Sequence, residues 1–144
     1  MALVSPHMRE IGLRFTDISD GTVVGELPYR LDLVGDPISG VLHGGVVTTL
    51  LDSTAGAAVL SRLGTPMPIA TLDLRIDYLR PSTPRKTLRA KVECFKLTHH
   101  VAFTRGIAYN DDENDPVASV TGTFMLRTQS VRLPKGESSE GEGG

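Results

Sequence analysis

Only one stretch of this chain is long enough and periodic enough to be a core helix, and everything else must fold around it. In residues 44–62 the positions Val47, Leu50, Leu51, Thr54 and Ala58 recur at helical spacing, which marks one buried stripe. Gly64 followed by Pro66 supplies a stop signal. Most of the remaining pattern has a period of two. Residues 12–19 suit a strand, Asp20-Gly21 is a strong turn pair, and residues 22–27 return from it. Leu72, Leu74, Ile76 and Tyr78 alternate with Asp73, Arg75 and Asp77, ending at Pro81. Leu88, Ala90, Val92 and Cys94 alternate with Arg89, Lys91 and Glu93, and residues 101–109 and 117–127 complete the series around a polar turn at 110–116. Residues 1–8 carry little pattern, and residues 28–42, with two Pro/Gly clusters, read as a loop.

A helix of ~18 residues is about 27 Å long, comparable to the width of a five- or six-stranded sheet at ~4.8 Å spacing. The expected fold class is therefore α+β, an antiparallel five- to six-stranded sheet wrapped around one long central helix. Its outer face and edge strands would stay uncovered, so a homo-oligomer is expected. Residues 1–133 fit a single domain, whereas residues 134–144 are dominated by Gly, Ser and Glu and are expected to be disordered.

Charge and cysteine usage narrow the function. Fifteen Lys and Arg against 17 Asp and Glu give a net charge of −2, with no general attraction to nucleic acid. A single cysteine, Cys94, excludes an intramolecular disulfide and a multi-cysteine zinc site. No apolar run approaches the ~18 residues of a membrane span and no leader opens the chain, so a reducing cytoplasm is the expected location, without a membrane partner. Cys94 shares strand parity with Leu88, Ala90 and Val92 and reads as a small core residue rather than a nucleophile. His99-His100 would point to opposite faces of a strand, with no carboxylate at ligand spacing, so no metal is expected.

The chemistry concentrates where the loop meets the helix. Gly40-Val41-Leu42-His43-Gly44-Gly45 leads into the helix, and Asp52 lies in its interior with Thr48, Ala55 and Gly56 one turn away. Consecutive glycines at a helix start leave backbone N–H groups unobstructed at the positive end of the dipole, which suits an oxyanion as well as a phosphate. Asp52 is eight residues beyond Gly44, about 12 Å along the axis. It cannot reach a carbonyl held at its own Gly44. If both serve one site, Asp52 comes from a second chain.

The run Ser39-Gly40-Val41-Leu42-His43-Gly44-Gly45 with Asp52 following resembles the signature of hotdog-fold acyl-CoA thioesterases of the phenylacetate-degradation type. The segment from Thr71 to Pro81 resembles the central strand of that family and its exit, and residues 115–124 resemble its last hairpin. The resemblance implies hydrolysis of an acyl-CoA by a homodimer or a dimer of dimers, with coenzyme A part of the substrate and no further cofactor. It implies that the Gly44 amide receives the thioester carbonyl oxygen, with Gly45 behind it, and that His43 positions the carbonyl or the leaving thiolate. Asp52 of the partner chain would attack the carbonyl or activate a water, and Thr71 would help to hold that water. The family often carries an Asn shortly before the glycine run; Asp36 is the nearest polar residue here, and its carboxylate cannot donate. Arg80, Arg85 and Lys86 flank the Pro81–Pro84 turn, where they would meet coenzyme A phosphates or simply face solvent. Two other readings share the fold. A hydratase or dehydratase would need a His and a carboxylate near one carbon, and a non-catalytic acyl-CoA-binding module would not need Asp52.

Overall fold

The computed structural model describes residues 5–127. Ser5 caps a short helix, α1 (Pro6–Glu10), accepting the Met8 N–H at 3.2 Å, with Pro6 at its first position. No periodicity announces this turn; the Ser-Pro pair is its only signal. Strands β1 (Arg14–Ser19) and β2 (Thr22–Leu27) form the expected hairpin, with Ser19 opposite Thr22 across Asp20-Gly21.

Residues 28–42 are more ordered than a plain loop, which corrects the expectation. A 3-10 turn (Leu31–Leu33) leads into β3 (Val34–Asp36), which pairs with β4 (Val41–Leu42) in a separate two-stranded ladder. The turn between them is closed by Asp36, whose carboxylate accepts the Ile38 N–H at 3.1 Å and the Ser39 hydroxyl at 2.8 Å. Strands this short leave no alternation to read.

The central helix α2 (Gly44–Leu63) ends at Gly64, which takes the left-handed conformation at φ 75°. Four long strands follow: β5 (Ile69–Tyr78), β6 (Leu88–Leu97), β7 (Val101–Tyr109) and β8 (Ala118–Leu126). The main sheet has six antiparallel strands in the order β1-β2-β6-β7-β8-β5. Helix α2 packs chiefly on β2, β6 and β7. Leu50, Leu51, Ala55, Ala58 and Val59 are sealed against a core that includes Val23, Leu27, Leu88, Ala90 and Val92. Each such leucine contributes roughly 1.5–3 kcal/mol of transfer free energy. Cys94 completes the core face of β6, and burial pushes its thiol up from the ordinary value. His99 and His100 lie in the turn between β6 and β7, rings edge to face at 4.5 Å, and not within a strand.

Strand β5 departs most from its sequence pattern. Leu74 and Ile76 pack against the core, but Leu72 and Tyr78 are 51% and 53% exposed. A bulge between Thr71 and Asp73 inserts one extra residue opposite β8. It turns Leu72 outward and brings Thr71, of the opposite parity, to the helix side. Position also matters, because β5 is an edge strand that α2 barely touches.

The expected tail at 134–144 lies outside the described residues. Among the described residues no helix is long and apolar enough to cross a membrane, and no group of three or more His, Cys, Asp or Glu is placed to hold a metal ion.

Strand β7 approaches β6 so closely at Gly106 that a Cβ there would lie 2.3 Å from the Lys91 carbonyl oxygen and 2.7 Å from the Val92 Cα. Gly106→Ala must therefore displace backbone. We expect a loss of at least about 2 kcal/mol in urea unfolding, with an unchanged m-value.

Candidate active site

At the start of α2 most backbone donors are already engaged. A helix leaves its first N–H groups without intrahelical partners. The His43 N–H donates to the Leu33 carbonyl at 2.9 Å, so the 3-10 turn satisfies it. The Gly45 N–H donates to His43 Nδ1 at 2.9 Å, making His43 the N-cap. The Val46 N–H reaches the His43 carbonyl, also at 2.9 Å. The N–H of Gly44 alone has no hydrogen-bond partner among the described residues. Gly44 and His43 are both exposed, and a Cβ at Gly44 would meet nothing closer than the Tyr78 hydroxyl at 3.9 Å. The helix thus presents one free, accessible donor at its positive end.

Packing fixes His43 from the other side. A Cβ on Gly35 of β3 would stand 2.9 Å from the His43 Cα, so glycine is what lets β3 pass. The small two-stranded ladder, missed from sequence, is the clamp that sets the helix start.

Asp52 sits midway along α2, half-buried, with Thr71 of β5 beside it. The Thr71 hydroxyl points its donor at Asp52 Oδ1 across 3.4 Å, a loose contact that the bulge makes possible. Burial pushes the Asp52 carboxyl above its ordinary value, and the Thr71 hydroxyl partly opposes this by favouring the charged form. Gly56, one turn on, lies against the start of β5, where a Cβ would make ordinary contact with Ile69 at 3.8 Å. Asp52 and Thr71 are therefore brought together, and Gly44, Gly45 and His43 are brought together. Within one chain the two groups stay apart along the helix.

Tyr78 at the far end of β5 was not among the sequence candidates. Its hydroxyl donates to the Gly44 carbonyl at 3.1 Å and lies 2.8 Å from Thr48 Oγ1. Its parity with the apolar face of β5 was the available signal, and it suggested a core residue. Beside it, a groove of about 410 Å³ runs past Gly44 along Val41, Leu42, Val47, Leu79 and Val117. That volume suits a small-molecule site.

The polar candidates separate cleanly. Asp36 is exposed, and the Ser39 hydroxyl and the Ile38 N–H hold its carboxyl below the ordinary value, so its lone pairs are engaged in the turn. Arg80 is tied to Asp115 through both the carboxylate and the main-chain carbonyl, and Lys86 is paired with Asp111. Arg85, exposed and in the left-handed region at φ 64°, has no ion pair among the described residues.

Comparison with known proteins gives this arrangement a family. Residues 39–117 match the model of the thioesterase superfamily. The medium/long-chain acyl-CoA thioesterase YigI of Salmonella typhimurium is 31% identical over 113 residues, covering 65% of this chain and 68% of that one. A putative esterase of Halobacterium salinarum is 40% identical over 75 residues, but this chain spans only half of that relative's length, with half of its own residues matched. A single-substitution variant of the phenylacetic acid degradation protein PaaI from Thermus thermophilus superposes with a TM-score of 0.73 at 27% identity, over 84% of this chain and 98% of the other. The six-stranded antiparallel sheet around one long helix is the hotdog fold; the chain belongs to the thioesterase superfamily, and the reaction class that goes with that membership is thioester hydrolysis.

Proposed function

We propose that the chain hydrolyses acyl-CoA thioesters at a site shared by two copies of itself. The observation that carries this reading is the way β5 touches α2 at both ends. Thr71, near its start, meets Asp52, and Tyr78, at its end, meets Gly44. Among the described residues the outer edge of β5 has no strand beside it. Antiparallel pairing of that edge with its own copy sets the start of one β5 against the end of the other. Each Asp52–Thr71 pair then faces the Gly44–His43 group of the partner. The same pairing would cover Leu72 and Leu79, both exposed here.

In that site the thioester carbonyl oxygen accepts the free Gly44 N–H. Asp52 of the other subunit acts at the carbonyl carbon in one of two ways. Its carboxylate adds directly, expelling the thiolate and leaving an anhydride that water opens, or it takes a proton from a water whose oxygen adds. Either route builds negative charge on the oxygen held by Gly44, where a donor is worth about 10²–10³ in rate. The thiolate departs without a strong acid, since a thiol pKa near ~8.5 makes it a good leaving group. The products are a carboxylic acid and coenzyme A, and the reaction uses no group beyond water and these side chains. The apolar groove beside Gly44 suits the acyl chain, in keeping with the relatives named for medium and long chains. Arg85 is the basic residue left to meet a coenzyme A phosphate, because Arg80 and Lys86 already have carboxylate partners. A dimer of dimers would cover exposed apolar surface left elsewhere, such as Phe95 and Met125. A cytoplasmic location completes the reading.

The first test is thiol release from octanoyl-CoA and phenylacetyl-CoA. Asp52→Asn should lower kcat at least about 100-fold with little change in KM. Gly44→Pro removes only the free N–H, because the first helical position tolerates proline and His43 already has the extended backbone that must precede one (ψ 138°). Mixed after subunit exchange, the two inactive variants should regain about a quarter of wild-type turnover, since half the dimers carry one intact site. No recovery after verified exchange would reject the shared site.

Acid-base behaviour gives a second check. The acid limb of the kcat/KM profile should lie above the ordinary carboxylate range, because Asp52 must ionise against burial. Thr71→Val removes the donor that favours the charge, so the limb should move further up. For stability the sign is the reverse of an ion-paired carboxylate. The folded state holds the Asp52 proton more tightly than the unfolded chain, so stability falls as pH rises through the interval from the ordinary to the raised value. Asp52→Asn should therefore lose no Tm at pH 7 while losing activity.

A further inference from the structure

The Gly44 carbonyl has two hydroxyl groups on it. Thr48 Oγ1 lies 3.2 Å away, Tyr78 OH lies 3.1 Å away, and the two hydroxyls are 2.8 Å apart. Three contacts share two hydroxyl protons, and the carbonyl supplies none. At most one proton can lie between the hydroxyls, so when both are engaged at least one hydroxyl donates to the Gly44 oxygen.

That oxygen belongs to the same planar peptide group as the Gly45 N–H, which donates to His43 Nδ1 at 2.9 Å. A hydrogen bond to the carbonyl strengthens the N–H of the same peptide as a donor. The result is a relay from hydroxyl to carbonyl and from N–H to imidazole. A ring nitrogen that accepts a hydrogen bond carries no proton, so neutral His43 holds its proton on Nε2. Gly45 lets the ring close over the helix start, since a Cβ there would press on Nδ1 at 3.2 Å and Cε1 at 3.4 Å. Thr48 belongs to the helix and can bond back to its own turn in any fold. Tyr78 reaches in from β5, the strand that also sets Thr71 against Asp52.

We propose that Tyr78 is a positioning residue for hydrolysis: with Thr48 it fixes the Gly44–Gly45 peptide, which holds His43 by Nδ1 and leaves Nε2–H as the ring's one donor to the thioester oxygen or the leaving sulfur. This rests on the thioesterase reading. No proton passes along the relay; it sets orientation and tautomer only. Tyr78→Phe keeps the ring and removes the hydroxyl.

The test joins spectroscopy to kinetics. In ¹⁵N-labelled wild-type protein, His43 Nδ1 should show the shift of an unprotonated acceptor and a through-hydrogen-bond coupling to the Gly45 amide. In Tyr78→Phe the Gly45 amide proton should move upfield and exchange faster. The kcat on octanoyl-CoA should fall about three- to tenfold with KM changed less than about twofold, the scale of one neutral hydrogen bond. Thr48→Val combined with Tyr78→Phe should deepen both effects, and Thr48→Val alone provides a readout should Tyr78→Phe fail to fold. Unchanged Gly45 and His43 signals in the variants would overturn the relay. Altered signals with an unchanged kcat, or a rise confined to KM, would overturn the positioning role. Wild-type protein that releases no thiol from any acyl-CoA would reject the thioesterase reading instead, while the spectra would still decide whether Tyr78 holds His43.

Discussion

One helix cannot cover six strands. At ~4.8 Å per strand the sheet is about 24 Å across between its outer strands, against a helix diameter of ~10–12 Å. Helix α2 spends its apolar stripe on β2, β6 and β7, and the sheet overhangs it toward β5. The setting of Asp52 follows from that overhang. Asp52 faces the side where cover runs thin, so it is half-buried rather than sealed or solvated. Its carboxyl is raised by burial, yet it keeps a hydroxyl partner from the overhanging strand. Among the described residues the same strand leaves an open edge, and an open edge is what a second copy would pair with in the proposed dimer.

Much of this was legible in the residues. The helix bounds, the first hairpin and the core parity of β6 follow from periodicity and turn chemistry, and those signals are strong because burial enforces them. Cys94 illustrates the point, since its parity with Val92 and Ala90 places it in the core without any structural information. Strand β5 breaks the period of two for a physical reason. A bulge adds one residue and exchanges the faces on either side of it, so Leu72 and Thr71 swap the roles that alternation assigns them. Strands β3 and β4 are too short to alternate and owe their pairing to the Asp36 turn and the space left by Gly35. The glycine run and Asp52 were visible as residue types. Which N–H stays free, and which basic residues already have partners, depends on contacts between distant segments that no local pattern encodes.

Tyr78 shows how a contact at the candidate site can hide in a regular pattern. In sequence it is the last apolar position of an alternating strand, with nothing to set it apart from Ile76 or Leu74. In the folded chain it is half exposed, at the end of an edge strand beside the first turn of the helix. An aromatic ring there contributes modest burial and one hydroxyl, and the hydroxyl finds the Gly44 carbonyl. Phenylalanine would satisfy the strand equally well, so the hydroxyl rather than the ring is the informative atom.

The donors left at the helix start also separate the two ligands that a glycine-rich N-terminus suits. A phosphate is a permanent anion with several oxygens, and sites built for it offer several backbone N–H groups at once. Here the Leu33 carbonyl takes the His43 N–H, His43 Nδ1 takes the Gly45 N–H, and the Val46 N–H bonds within the turn. One donor is left, flanked by an imidazole whose near nitrogen is an acceptor. A single N–H is a poor phosphate cradle. It is well matched to one carbonyl oxygen that gains charge only in passing, which needs a donor fixed in direction more than it needs many donors. His43 thus does two things with one ring in the proposed reaction. By occupying the Gly45 N–H it removes a competing anion contact, and by doing so through Nδ1 it keeps its remaining proton available on the other nitrogen.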